Sequence, residues 1–459
     1  MNINLKELKN KITPGSHGHL VGIGGVSMSP LAEVLKGRGV LVSGSDIHDS
    51  DSVKHLRSVG IPVTVGHRAE NIEGADFIVR TAAAHDDNVE IAAARAAGIP
   101  VFERAEAWGF LMQRYKNALC ISGTHGKTTT TSMSTYILME AEADPTVMIG
   151  GTLPLLNSGY RVGRGNTIVL ESCEYYNSFL NFLPTVAVIL DIEADHLDFF
   201  KDLDDIKRSF RKFAQLVPKD GCVIANCEDA NTMDAIAGID RRVVTFGTKE
   251  GADVRGLNVH VENGVTHFDV EYQGKPFAKI GLHVPGRHNV MNALAAIAAT
   301  AQLDISASAM ERALDSFSGA ERRFQYKGMC GDAKVYDDYA HHPGEIKALL
   351  NAVETLGYKR IVLAFQPHTY TRTKALFGDF AEQLKRPDKV YLAEIYAARE
   401  KNTIGISSKD LAAVVPGAVF CPTMDEIAER LKEDARPGDI IITVGAGDIY
   451  RVGEKIVKK

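Results

Sequence analysis

The sequence predicts an α/β protein of three domains, two Rossmann-like units flanking a phosphate-loop unit with additional β strands. Three observations carry this. The chain has 459 residues, and at roughly 150 residues per domain there is room for about three. Short apolar runs alternate with helical patterns near both ends, as in parallel sheets covered by helices. Between them, a glycine turn links an apolar run to a helix and is followed by a stretch of alternating texture. Hydrophobic residues make up 45% and charged residues 24%, so each unit can bury its own core.

The first unit, residues 1–106, has apolar runs at His19–Ile23, Val40–Ser43, Val63–Val65, Phe77–Arg80 and Pro100–Phe102. Helical patterns at Pro30–Lys36 and Val89–Ala97 separate them. The second, 107–317, opens with a strand at Asn117–Ser122 and a helix at Thr128–Glu140, then strands at Thr167–Leu170 and Val186–Leu190. From Ala252 to Pro285 the VxVxxGVxHFxVxY texture and turn glycines suit antiparallel strands, and Asn289–Ala301 reads as an alanine-rich helix. A small, polar linker at Ser318–Arg323 leads into the third unit, 318–459. Its strands lie near Val335–Asp338, Arg360–Phe365, Lys389–Ile395 and Asp439–Val444.

With 52 basic and 58 acidic residues the formal charge is −6, which argues against a general polyanion or nucleic-acid binder. Six scattered cysteines without a CxxC pair point to reduced thiols rather than a zinc knuckle or dithiol. No apolar run approaches the roughly 18 residues that span a bilayer, and MNINLKELKNKI lacks a signal-peptide core. A cytoplasmic protein with no membrane partner is expected, as a monomer or weak homodimer.

Two glycine turns stand out. In the first, Gly22, Gly24 and Gly25 precede Ser27, which stands where GxGxxG has its third glycine, and Asp46 closes the next strand as a ribose-binding acid would. A dinucleotide, another nucleotide and simple turn chemistry all fit it. The second, Gly123-Thr124-His125-Gly126-Lys127-Thr128-Thr129, joins strand to helix. Amides at a helix N-terminus attract phosphate. Lys127 can reach terminal phosphates, and the Thr128 hydroxyl can hold a metal ion. Ile121 replaces the first glycine of GxxxxGK[ST], so the loop is a shortened relative. Glu171 and His196 follow the ends of two further strands. They could face the same phosphates as metal ligands, although an acid at a strand end is also a common helix cap.

The stretches GTHGKTTTT, ESCEYYNSFLNFLPTVAVILDIEADHLDFF, GRHNVMNALAA and VYDDYAHHPGEI occur in this order. Together they resemble the Mur ligase family, ATP-dependent amide-forming enzymes of bacterial cell-wall synthesis. GIGGVSMSPLAEVL, FQPHTYTRTKALF and EIYAAREKNTIGISS narrow the resemblance to the branch that joins L-alanine to UDP-N-acetylmuramate. The resemblance covers nearly the whole chain.

It implies three domains that bind the UDP-sugar, ATP and the amino acid in turn, with ATP and Mg2+ required. Gly22, Gly24, Gly25 and Ser27 would then hold UDP phosphates, with Asp46, His67, Glu174 and Tyr339 as further substrate contacts. Lys127 and Thr128 would meet ATP and magnesium, with Glu171 and His196 completing the metal site. Asn289 and Asn292 match adenine-recognising residues. Arg323 matches an arginine that reaches toward ATP. Asp338, Tyr339, His341 and His342 match a motif facing the active centre, where either histidine could take the amine proton. Arg372 resembles the arginine that grips the alanine carboxylate. The chain departs from the family's EADESD at Ser172, Cys173, Tyr175 and Tyr176, followed by Asn177, and Thr369 stands where many relatives have a basic residue. No lysine takes the place of the carbamoylated lysine found elsewhere in the family. Linker 318–323 is expected to act as a hinge.

Other readings compete. A nucleotide-driven switch would explain Lys127 and Thr128 but leave DDYAHHP idle. A dinucleotide oxidoreductase would leave the phosphate loop idle. A recycling ligase that attaches a murein tripeptide to the same UDP-sugar would share the metal motifs.

Overall fold

A computed structural model describes residues 5–457, except Ala82 and Arg399; Arg399, within one of the stretches quoted above, therefore lies outside the described residues. The strands fall in three separate sheets. The first contains β1 (His17–Val21), β2 (Leu41–Asp46), β3 (Val63–Val65), β4 (Phe77–Arg80) and β5 (Val101–Glu103), in the order β3-β2-β1-β4-β5. All its pairings are parallel.

The central sheet contains β6 (Asn117–Ser122), β7 (Thr146–Leu153), β8 (Ser158–Arg161), β9 (Thr167–Glu171), β10 (Val186–Ile189), β11 (Cys222–Asn226) and β12 (Val243–Gly247). It continues into the meander β13 (Val254–Glu262), β14 (Val265–Tyr272) and β15 (Lys275–Leu282). Its order is β15-β14-β13-β12-β11-β10-β6-β9-β7-β8, antiparallel at both margins. The third sheet contains β16 (Gln325–Cys330), β17 (Ala333–Asp338), β18 (Arg360–Phe365), β19 (Lys389–Leu392), β20 (Val419–Phe420) and β21 (Asp439–Val444), in the order β16-β17-β21-β18-β19-β20. An antiparallel edge, β16 on β17, breaks the expected βα alternation.

Local chemistry explains the helices that matter here. Helix Leu203–Leu216 starts where the Asp202 carboxylate accepts from the Asp205 amide, satisfying one open donor of the first turn. Its apolar face, Ile206, Phe210 and Phe213, is buried. Phe213 stacks on Phe179 with ring centres 4.6 Å apart. Helix Lys127–Glu140 is buried on nearly every side and packs against Arg287–Ala301, whose run of alanines allows close approach.

The cores are unevenly divided. One buried cluster runs from Leu20 and Phe77 through Trp108 to Phe179 and Phe210, joining the first two units. Helix Arg104–Met112 crosses residue 106 and lies in this shared core. The third sheet is buried in two clusters of its own. Between it and the central unit the chain passes Gly319 at φ 99°, Arg322 at φ 59° and Phe324 at φ 48°. Of the three, only the glycine takes up a left-handed conformation at no steric penalty.

Candidate active site

In parallel sheets ligands gather at the carboxyl ends of the strands. β6 lies between β10 and β9 in the central sheet, so the segments that leave these three strands meet. β6 delivers the turn Gly123–Gly126. A Cβ on Gly126, at φ 78°, would stand 2.4 Å from Asn292 Oδ1, so only glycine fits. Lys127 Nζ lies 3.2 Å from the Glu174 carboxylate and donates to the carbonyls of Gly123 and Thr124. Burial pulls this ammonium down, but Glu174 and its neighbours outweigh burial and hold it above the usual lysine range.

Thr128 Oγ1 donates to Glu171 Oε2 at 3.0 Å, and the Gly150 amide donates to the same oxygen at 2.8 Å. His196, at φ 52°, stacks on Tyr175 and lies 3.8 Å from Glu174. Burial lowers its pKa, which favours the neutral ring. Lys127, Thr128, Glu171 and His196 line one cleft with Arg323 of the linker and with Tyr339 and His341 from beyond it. A second opening links Gly25 and Ser27 of the first turn to Gly150, Glu171 and Cys173. All three units therefore contribute to one centre.

Two cavities adjoin it. The first is lined by His125, Gly126, Thr129, Asn289, Asn292, Arg323 and Asp338. Asn292 Nδ2 donates to Asn289 Oδ1 at 3.2 Å, and Asn292 Oδ1 accepts from Thr130. Asp338 accepts from the amides of Phe324 and Ala340, yet its burial pushes the carboxyl up to about 6. The second cavity holds Asp195, His196, His368, Thr369, Thr371 and Arg372. Arg372 Nη2 lies 3.1 and 3.3 Å from the two oxygens of Asp195.

Glu345 is the hub on the third unit's side. It accepts from the His341 and His342 amides. It also lies 3.2 Å from His341 Nδ1, 3.6 Å from His125 Nδ1 and 3.8 Å from Arg323. Burial would raise its pKa, but His341, His125 and Arg323 around it hold it well below the usual carboxylate range.

Three family patterns match along the chain. Residues 17–116 match the Mur ligase family catalytic domain, 121–300 the Mur ligase middle domain and 322–447 the Mur ligase glutamate ligase domain. Over 446 residues the chain is 46% identical to a UDP-N-acetylmuramate–L-alanine ligase of Caldanaerobacter subterraneus subsp. tengcongensis, covering 96% of this chain and 97% of that one. The chain is a Mur ligase. A relative of the same name from Clostridium novyi is 46% identical over 444 residues, with 96% and 97% covered. The solved structure of a UDP-N-acetylmuramate–alanine ligase from Thermotoga maritima superposes with TM-score 0.79 at 31% identity, covering 96% of this chain and 98% of that one. A murein peptide ligase from Psychrobacter arcticus shares the fold, with TM-score 0.71 at 23% identity over 97% and 100% of the two chains.

Within this Mur ligase the residues singled out from sequence are not equally placed. Lys127, Thr128, Glu171, His196, Arg323, Tyr339 and His341 share the central cleft. Asp46, by contrast, braces the first turn, accepting from the Gly24 amide at 2.9 Å. His67 lies 3.0 Å from Ser45 and 3.2 Å from the fully buried Glu90. Glu174 pairs with Lys127. Sequence reasoning assigned no role to Asp195, Glu193 or Glu345. Asp195 and Glu193 sit in the DIEADHLD run beside His196, where several acids compete for attention. Glu345 stands three residues after His342, the spacing of a capping box, and the structure has that box.

Proposed function

We infer that this chain joins L-alanine to the lactyl carboxylate of UDP-N-acetylmuramate with ATP as the energy source, in peptidoglycan precursor synthesis. The observation that carries the reading is the meeting of phosphate loop, first glycine turn and Arg372 pocket around one centre, in a chain 46% identical to such ligases over 96% of its length. The division of labour we propose gives residues 1–106 the UDP-sugar, 107–317 ATP and 318–459 the amino acid. The shared core supports moving the first boundary to the end of helix Arg104–Met112. ATP and a nucleotide sugar are cytoplasmic metabolites, which supports a cytoplasmic place of work, and among the described residues no helix is long and apolar enough to cross a membrane. We propose a monomer or weak homodimer.

A carboxylate is a poor acyl donor, so the lactyl oxygen first attacks the γ-phosphorus of ATP. ADP leaves and an acyl phosphate forms. Alanine's nitrogen then attacks the acyl carbon and inorganic phosphate leaves. Two anions must approach in the first step, so neutralising charge is the main demand. Lys127 and Arg323, which both line the cleft, supply it. Thr128, Glu171 and His196 fit Mg2+, because two hard oxygen donors lie within 3.0 Å of each other. A bound Mg2+ would neutralise phosphate charge there. Asn289 and Asn292 can donate to and accept from adenine's edge, while Gly123–Gly126 and Thr129 wrap the phosphates.

The ring partners of the two histidines favour His341 as the group that takes the proton shed by the attacking nitrogen. His341 Nδ1 faces two acceptors, Tyr339 O and Glu345. Its proton belongs on Nδ1, and Nε2 keeps its lone pair. His342 Nδ1 accepts from the Gly344 amide, which leaves its proton on the buried Nε2. Arg372 is placed to fork onto the alanine carboxylate.

Phosphate release with ATP, Mg2+ and UDP-N-acetylmuramate tests the reading against a panel of amino acids and the murein tripeptide. Release with L-alanine is expected. Release with the tripeptide alone would move the chain to the recycling branch, and release independent of the UDP-sugar would contradict both.

A further inference from the structure

His125, Glu193 and His342 come from the phosphate loop, the segment after β10 and the start of helix Pro343–Glu354. Each offers one ligand atom, and the three atoms lie within 4.8 Å of one another. His125 Nε2 is 3.1 Å and His342 Nδ1 3.8 Å from Glu193 Oε2. An ion with N and O bonds of about 2.0–2.1 Å in tetrahedral geometry needs donor edges of roughly 3.3 Å, between these two distances.

Gly344 puts no side chain in front of the three atoms, and an ion would take over the Nδ1 lone pair of His342 that now accepts from the Gly344 amide at 3.2 Å. A Cβ there would stand 3.0 Å from Glu193 Oε2, 3.2 Å from His125 Nε2 and 3.3 Å from His342 Nδ1. The surroundings favour a cation. The Asp191 carboxylate accepts from the His125 amide at 2.8 Å, and Glu345 lies 3.6 Å from His125 Nδ1. That nitrogen is buried without a hydrogen-bond partner, as is His342 Nε2. An imidazole bound to metal commonly sets a carboxylate behind its other nitrogen, which is the place of Glu345. Arg323, 3.8 Å from Glu345, offsets part of this negative charge. Among the described residues, Glu345 is the charged side chain of helix Pro343–Glu354 that lies against His125.

We propose that His125, Glu193 and His342 form a binding site for a zinc-class divalent ion, separate from the magnesium position. Two imidazoles with one carboxylate select borderline metals over magnesium. His125 and Glu193 line the cavity of Asn289 and Asn292 but not the adjoining cleft that holds Glu171 and His196. An ion there ties the phosphate loop to the third unit and occupies the approach to the ATP phosphates. It therefore competes with nucleotide.

Co2+ is the probe, titrated into the full chain without nucleotide and with excess Mg2+ filling the oxygen-rich position. One equivalent should bind, with the visible bands of a four- or five-coordinate ion. Glu193→Gln and His342→Asn should each weaken it by about tenfold or more, while Glu171→Gln leaves it in place. Asn at 342 preserves the helix cap, and the thermal melt of each metal-free variant reports its fold. A non-hydrolysable ATP analogue should bleach the bands. Absence of Co2+ binding under excess Mg2+, or bands lost in Glu171→Gln but kept in both other variants, overturns the site. Bands indifferent to the analogue overturn the competition.

Discussion

Arg372 and Asp195 form a forked ion pair, 3.1 Å at the closest approach, across 177 residues of chain and across the seam between the central and third units. Both side chains are nearly buried, at 10% and 12% exposure. Burial would raise the Asp195 pKa, but Arg372 and neighbouring imidazoles hold it well below the usual carboxylate range. The guanidinium proposed to receive the amino acid's carboxylate is thus already met by a protein carboxylate, and substrate must share or displace it. Arg372→Lys should raise the KM for alanine by about tenfold or more, because lysine cannot reproduce the fork, and leave the KM for ATP near its starting value. Asp195→Asn should move the alanine KM in the opposite direction. Steady-state kinetics with each substrate varied in turn check both.

Lys127→Met should abolish phosphate release. It also strands Glu174, whose side chain is 4% exposed, and breaking a buried pair costs about 3–5 kcal/mol. Lost activity alone could then reflect unfolding. The double change Lys127→Met with Glu174→Gln separates the two: the melting temperature should recover and activity should not.

Glu171→Gln keeps the shape of the Thr128 and Gly150 contacts but removes a charge. The Mg2+ needed for half-maximal rate should rise by about tenfold, with the alanine KM little changed. An unaltered magnesium titration would remove Glu171 from the metal site.

Acid should destabilise the fold through His341. Burial lowers its pKa to about 4, so the folded state keeps the ring neutral while the unfolded chain takes up a proton near the ordinary imidazole value. The unfolded state binds more protons across that interval, and stability falls as pH falls through it. The low pKa of Glu345 extends the loss in the same direction. His341→Asn should flatten the fall between the ordinary imidazole range and about pH 4 by roughly 1–3 kcal/mol, read from urea midpoints at each pH.

The continuous core between the first two units, against separate cores in the third, supports the proposal that closure moves the third unit about the linker 318–323. Small-angle scattering should show a smaller radius with ATP analogue and UDP-sugar than without. Identical profiles would remove the hinge.

Much of this was legible in the sequence. Strands buried on both faces, such as Phe77–Arg80 and Arg360–Phe365, read as apolar runs bounded by turn residues and fall where expected. The phosphate loop was legible because strand, glycine turn, lysine and helix coincide within a few residues. The hairpin of β7 and β8 was not, since Ser158–Arg161 has neither alternation nor an apolar run. Nor was the antiparallel β16, an edge strand only partly buried. At the site, sequence could nominate Arg372 but not its partner. Asp195 sits among four acids in DIEADHLD, and only tertiary placement tells which one meets an arginine 177 residues away. Asp46 shows the converse: a strand-end acid matches a ribose ligand in pattern, while its nearest donor is its own chain's Gly24 amide.

Transfer of the γ-phosphoryl group to the lactyl carboxylate can be followed atom by atom. UDP-N-acetylmuramate carrying 18O in both carboxylate oxygens, turned over with ATP and L-alanine, should yield inorganic phosphate with one 18O and an amide carbonyl with the other. Phosphate free of 18O would mean that no acyl phosphate forms, and would contradict the chemistry proposed for this cleft.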